Sequence, residues 1–241
     1  FAAGSGMVES MSLRTIAGLA SAAPEAARIA KKALDAIKAV EAVVISGENI
    51  NIALTLKNLK TSVDALPAAM AKSLQLAKKR ADELGIKTIV VATTKGDTGA
   101  RAAEVFRGYK LIAVTHAQGW REPDTQEVTE ESRAAMLQRG AIIHTATHIF
   151  GGVGRAVRKQ FNTYMLDDLL AQTLRLFGEG MKVVCEMAGM CADAGLVRTD
   201  EDAVFIAGTG RGADTAVVLK PANTVDFFKM RVREVICKPR G

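Results

Sequence analysis

Short apolar runs and longer amphipathic stretches alternate along most of this chain. Thr88–Ala92 reads Thr-Ile-Val-Val-Ala, a β-branched run with no polar alternation. That pattern predicts a strand buried on both faces of a parallel sheet. Leu111–Thr115, Ala141–Thr145 and Val183–Met187 predict the next three strands, and Ala203–Gly208, Thr215–Leu219 and Val232–Cys237 complete the sheet. Helices are expected between them. Ala65–Leu84 is stopped by Gly85, and Asp97–Phe106 follows the first strand. Thr129–Arg139 opens with the capping run Thr129-Glu130-Glu131-Ser132 and closes at Gly140. Ala156–Phe177 is mostly helical and ends at Gly178. Strands separated by helices predict an α/β fold, a mostly parallel sheet with helices on both faces. The last strands have no helix between them, which predicts an antiparallel edge strand.

Upstream the texture changes. Residues 1–47 read as an N-terminal helical extension and 48–241 as the α/β domain. Phe1-Ala-Ala-Gly-Ser-Gly6, ahead of Met7, reads as an expression-vector remnant. Ser12–Ala23 is apolar and poor in acids, a faint likeness to a targeting peptide. Pro24 and Glu25 suit the first turn of a helix in which Ile29, Leu34, Ile37 and Val40 share a face. A helix of that length is marginal alone. It is therefore expected to dock within the protomer or, the favoured case, on a second copy in a homo-oligomer or on a protein partner through residues 24–40. Val43–Ser46 and Ile52–Leu56 read as short strands.

Composition narrows the function classes. Hydrophobic residues make up 49% and charged residues 24% of 241 residues, a globular balance. No apolar run approaches the roughly 18 residues that cross a bilayer, so no membrane partner is expected. The net charge of +6 is spread among acids, and aromatics are only 5%. A nucleic-acid reader concentrates its basic charge and adds stacking rings, so no nucleic acid is expected. Cys185, Cys191 and Cys237 match no common zinc spacing and read as buried reduced thiols, which points to a cytoplasmic location.

The sharpest candidate for chemistry is the run Thr93-Thr94-Lys95-Gly96-Asp97-Thr98-Gly99, where a buried strand meets a helix start. Helix-start N–H groups attract an anion, the threonines add hydroxyl donors, and Lys95 adds charge. Gly96 lets a ligand approach the backbone. The run is neither a Walker loop nor a GxGxxG dinucleotide loop, and an ordinary turn capped by Asp97 or Thr98 explains it equally well. A second loop, Gly208-Thr209-Gly210-Arg211-Gly212, is richer in glycine than a hairpin needs, and Arg211 offers a planar fork for phosphate. The third loop, Thr115-His116-Ala117-Gln118-Gly119-Trp120-Arg121, holds the only tryptophan. Trp120 is suited to cover a flat ligand or, equally, to plug the loop onto the domain surface, and Arg121 to reach an anion. His148 precedes Gly151-Gly152 near the same edge. Glu186 is the one acid placed at a strand end like a catalytic group, and it is equally suited to cap a buried cluster of N–H groups. No metal site is expected, because no carboxylate joins His144 and His148 at ligand spacing.

These residues carry a resemblance. The stretch IVVATTKGDTGARAAEVFRGYKLIAVT, with GTGRGADT and REVICKP near the end, resembles the C-terminal α/β domain of pyruvate kinase. Glu83–Lys87, Gly96–Thr98, His148, Arg211–Val218 and Ile236–Arg240 also match a family of uncharacterised stand-alone proteins of that type. The resemblance implies a pyruvate kinase C-terminal domain-like fold. It implies a phosphate-binding loop at Thr94–Thr98, which in pyruvate kinase holds a phosphate of an allosteric sugar bisphosphate. Stand-alone members look like binders of flavin mononucleotide, FMN, so that cofactor and a flavin-dependent redox role are expected. The alternative is a structural or interaction subunit with a vestigial effector site. Kinase activity is not implied, since the catalytic barrel is missing from these residues. Ile52–Thr61 lacks the family's Pro-Gly loop.

Overall fold

In a computed structural model, residues 52–210 and 212–240 are described, with side chains from residue 68 onward. The chain divides into two compact units, 1–62 and 63–241. The expected helix at Pro24–Val40, the run Val43–Ser46, and Arg211 all lie outside the described residues.

Helix α1 (Ile52–Leu84) leads into β1 (Thr88–Ala92), α2 (Asp97–Val105), β2 (Lys110–Thr115), α3 (Glu130–Gln138) and β3 (Ile142–Thr145). Then come α4 (Val153–Phe161), α5 (Leu166–Arg175) and α6 (Glu179–Asp193), β4 (Ala203–Ala207), β5 (Thr215–Lys220), a 3-10 turn at Thr224–Lys229 and β6 (Arg231–Cys237). The six strands form one sheet in the order β3-β2-β1-β4-β5-β6. β1 pairs in parallel with β2 and β4, and β2 with β3. β5 runs against β4 and β6 against β5, so the antiparallel pairing expected near the end of the chain lies at this edge.

Strand alternation divides the core in two. Ile89 and Val91 join Leu74, Ala77 and Ala81 of α1 and Ala102, Phe106 and Met136 on one face. Val90, Ile112 and Phe205 meet Val184, Cys185, Ala188 and Cys191 of α6 on the other. Helices therefore cover both faces, and strands buried on both sides have no use for polar alternation. Each large side chain so buried contributes about 1.5–3 kcal/mol.

Two expectations are corrected. Val183–Met187 is not a strand but part of α6, a helix buried along nearly its whole length. A short, mostly apolar run such as Val-Val-Cys-Glu-Met reads the same in a buried strand and a buried helix. Ile52–Leu56 is not a strand but helical, inside α1. Residues 156–177 are mostly helical, as expected, in two pieces: Asn162, in the left-handed conformation, ends α4, and Asp168 accepts from the Met165 amide to begin α5.

Candidate functional site

The chain leaves β1 outward through β2 to β3, then returns across α4–α6 to place β4 on the other side of β1. The crevice beyond the C-terminal ends of β1 and β4 is therefore a topological switch point, where open α/β sheets bind ligands. Two predicted loops flank it: Thr93–Gly99 after β1 and Gly208–Asp214 after β4.

The first loop turns on Gly96, whose φ of 104° favours glycine, and a Cβ there would overlap Ser132. Thr93 is buried, and its hydroxyl accepts from the Gly99 amide at 3.2 Å. That bond holds the helix start against the strand end and occupies one amide of the cradle. The Thr94 and Thr98 hydroxyls make no hydrogen bond among the described residues, Thr94 half-buried and Thr98 buried. Lys95 is half-buried and Asp97 exposed, and both have interaction partners. The Lys95 carbonyl also accepts from the Thr129 amide at 3.0 Å, tying the turn to the cap of α3.

In the second loop Gly208 is half-buried and Gly210 exposed. The organising residue is Asp214, which the sequence reading passed over. Its carboxylate accepts from the Thr209 amide at 2.9 Å and from the Thr215 hydroxyl at 2.7 Å. Its own amide donates to the Ala207 carbonyl, closing the β4–β5 connection.

Beyond β2 and β3 the structure gathers the predicted rings. The Trp120 indole stacks on the His148 imidazole, with centroids 4.2 Å apart and planes 16° from parallel. His116 lies 5.2 Å from Trp120 and 5.4 Å from His148. The Arg155 guanidinium lies 3.9 Å from the indole centre. Gly151 permits this packing, because a Cβ there would come within 3.0 Å of the indole. Residues 116–128 brace themselves: the Gln126 amide donates to the His116 carbonyl, and Gly119 N–H donates to the Thr125 carbonyl. Thr115 is spent structurally, its hydroxyl 2.6 Å from that of Thr145.

The electrostatics of this cluster follow from burial. Burial lowers the His116 pKa, outweighing the hydrogen bond to Glu127 that raises it. His116 is thus a neutral ring that donates Nδ1–H to the Glu127 carboxylate at 2.5 Å. Burial pushes Glu127 up, but bonds from His116 and from Arg121 at 2.6 Å hold it below its usual range. Arg121 is therefore engaged with Glu127. Deeper in, Glu186 sits one helical turn from Lys182 at 2.5 Å. It accepts from the Phe150 amide at 3.2 Å and lies 3.6 Å from His148 Nδ1. Burial raises the Glu186 pKa, but His148 and Lys182 more than offset this and keep it ionised. Nε2 of His144 and of His148 are buried without a hydrogen-bond partner among the described residues.

Arg155, Glu127 and Lys182 were not anticipated from the sequence. Only the spacing of Lys182 and Glu186 carried a signal, and it is visible once the segment is a helix. No group of three metal-binding side chains occurs among the described residues. Burial raises the thiols of Cys185 to about 11 and Cys191 to about 12, so both are inert as nucleophiles. No described helix is long and apolar enough to cross a membrane.

A doubly wound sheet whose strand order reverses between β1 and β4, with a strand–glycine–helix turn beside the reversal, defines the α/β class of the fold. The family pattern described as "Pyruvate kinase, alpha/beta domain" matches residues 72–219, and the chain belongs to that family. In pyruvate kinase this domain binds a phosphorylated effector. Among solved structures, a pyruvate kinase from Cryptosporidium parvum is 14% identical, with a TM-score of 0.33, over 66% of this chain and 23% of that one. Pyruvate kinase of the same organism in complex with ADP is 14% identical with a TM-score of 0.32, covering 70% and 23%. The chain spans less than a quarter of the length of these enzymes.

Proposed function

We propose that this protein binds a phosphorylated small molecule in the crevice between β1 and β4, with the phosphate on the Thr93–Gly99 turn. The supporting observation is the left-handed Gly96 at a helix start, with the hydroxyls of Thr94 and Thr98 unspent among the described residues. Backbone N–H groups at a helix start and hydroxyl donors together suit a dianion. FMN is the ligand we favour. It carries a terminal phosphate for the turn and a flat ring for the aromatic cluster beyond β2. A flavin-dependent redox role would follow from its binding. Ring stacking on Trp120 would require Arg155 to move from its place over the indole.

The test is the absorbance spectrum of the purified protein, followed by calorimetry with FMN, riboflavin and inorganic phosphate. Binding of FMN and not riboflavin supports the reading. Binding of none of the three removes it. The second reading, an interaction subunit, is favoured by one observation, the exposed apolar stripe along α5 and the residues flanking it.

A further inference from the structure

Helix α5 is apolar on two sides. Its inner arc carries Asp168 and Ala171, both buried, with half-buried Leu170 and Leu174. Leu166, Leu169 and Leu176, spaced three and seven residues apart, form a stripe on the opposite arc. These three are 70%, 63% and 83% exposed. Phe161 at the end of α4, Tyr164 in the connection and Phe177 after α5 extend the stripe, each more than half exposed. At roughly 150–200 Å² per large side chain, the six present on the order of 700–800 Å² of apolar surface. The largest apolar patch on a typical monomer is about 300–600 Å². A stable interface takes about 800 Å² from each partner.

Charge decides what fits there. Arg158 is paired with Asp168, and Arg175 with Glu179 at 2.6 Å. Between 153 and 179 the sequence holds four basic and three acidic residues, close to neutral. A face that bound a lipid surface would carry a strong basic excess, and a face selecting a charged protein would leave charges unpaired. An electroneutral face rich in leucine and aromatic rings is complementary to itself, as a two-fold contact requires.

We infer that the exposed stripe along α5, with Phe161 at the end of α4, Tyr164 and Phe177, is a two-fold interface with a second copy of this chain. None of the six stripe residues belongs to the loops after β1 and β4, so the inference does not depend on whether the protein binds a phosphorylated ligand.

The experiment uses the full chain. Sedimentation equilibrium at about 10–100 µM should give an even number of protomers, and Leu169→Glu with Leu176→Glu should halve that mass. Both positions are exposed, so circular dichroism should be unchanged in the double variant, while its melting temperature should lose the concentration dependence that assembly confers. Should that variant fail to fold, hydrogen exchange on the unaltered protein decides: amides of 161–177 should exchange more slowly as concentration rises. Three results overturn the inference. One is a monomer at all concentrations. Another is a folded double variant of unchanged mass. The last is protection of 161–177 that does not depend on concentration, which would mean the face is covered within one chain. Co-sedimentation with neutral or anionic lipid vesicles, abolished by the double variant, would assign the face to a membrane and also overturn it.

Discussion

Trp120 and His148 lie face to face, 4.2 Å apart, although one follows β2 and the other β3. The contact pins two loops at one sheet edge, and Arg155 joins it from the start of α4. A guanidinium over an indole is worth about 0.5–2 kcal/mol. Arg155→Ala should lower unfolding stability by that amount in urea titration and alter the emission of Trp120, the only tryptophan. If FMN stacks on this indole, the same substitution should raise FMN affinity while leaving a ring-free phosphate compound unaffected.

The Thr94 and Thr98 hydroxyls are the side-chain donors of the turn with no hydrogen-bond partner among the described residues. Thr94→Ala combined with Thr98→Ala should weaken a phosphorylated ligand by about 1–3 kcal/mol, the scale of lost bonds to a charged group. Thr93→Ala should behave differently, since its hydroxyl braces Gly99. It should lower stability as well as affinity. Calorimetry and melting curves on both variants separate the two roles, and unchanged affinity in the double variant would take the turn out of the site.

Gly96 is constrained twice, by its φ of 104° and by Ser132 beside it. Gly96→Ala should cost at least about 1–3 kcal/mol from backbone strain alone. Pairing it with Ser132→Gly should recover the steric part and leave the strain. Equal stability of the single variant and the parent would show that the turn is not as rigid as its geometry.

How much of this was legible follows from which residues were local and which were not. β1 and β2 were readable because a strand buried on both faces must be an unbroken β-branched run, and Ile89–Val91 is one. The turn at Gly96 was readable because its hydroxyls and glycine are consecutive. Val183–Met187 was misread because burial erases the periodicity that distinguishes a strand from a helix, and with it went the pairing of Lys182 and Glu186. Arg155 and Glu127 were invisible for a different reason. Arg155 meets Trp120 across 35 positions of sequence, and Glu127 meets His116 across a loop, so tertiary folding alone creates both contacts.

Lys182 and Glu186 form a buried ion pair, with 10% and 3% of their side chains exposed. Removing one partner strands the other's charge, which costs about 3–5 kcal/mol. Glu186→Gln should approach that range, because Lys182 is left uncompensated and the bonds to Phe150 N–H and His148 weaken. Lys182→Met with Glu186→Gln should be more stable than Glu186→Gln alone. A double-mutant cycle in urea gives the coupling, and strictly additive losses would mean that the two charges do not depend on one another.

His116 supplies a pH signature. Its pKa is lowered in the folded protein by burial, against an unfolded value of about 6.5. As pH falls below about 6.5 the unfolded chain takes up the proton first, so acidification favours unfolding. The stability tied to neutral His116 is complete above that pH and is lost as pH falls toward the folded value. Glu127 acts in the same direction at lower pH: its pKa is held down by His116 and Arg121, so its contribution disappears as it protonates. His144, also lowered by burial, adds to the slope. Around His116, Glu127 favours its proton, while Arg121 and the His148 ring oppose it. Melting temperature should therefore fall between about pH 7 and pH 5, within the range where histidines titrate. His116→Gln should flatten the fall without abolishing it, since His144 remains. Melting curves for the parent and variant at half-unit pH intervals measure the difference. A parent whose melting temperature rises on acidification would show that His116 takes its proton in the folded state, with Glu127 and not burial governing the pair.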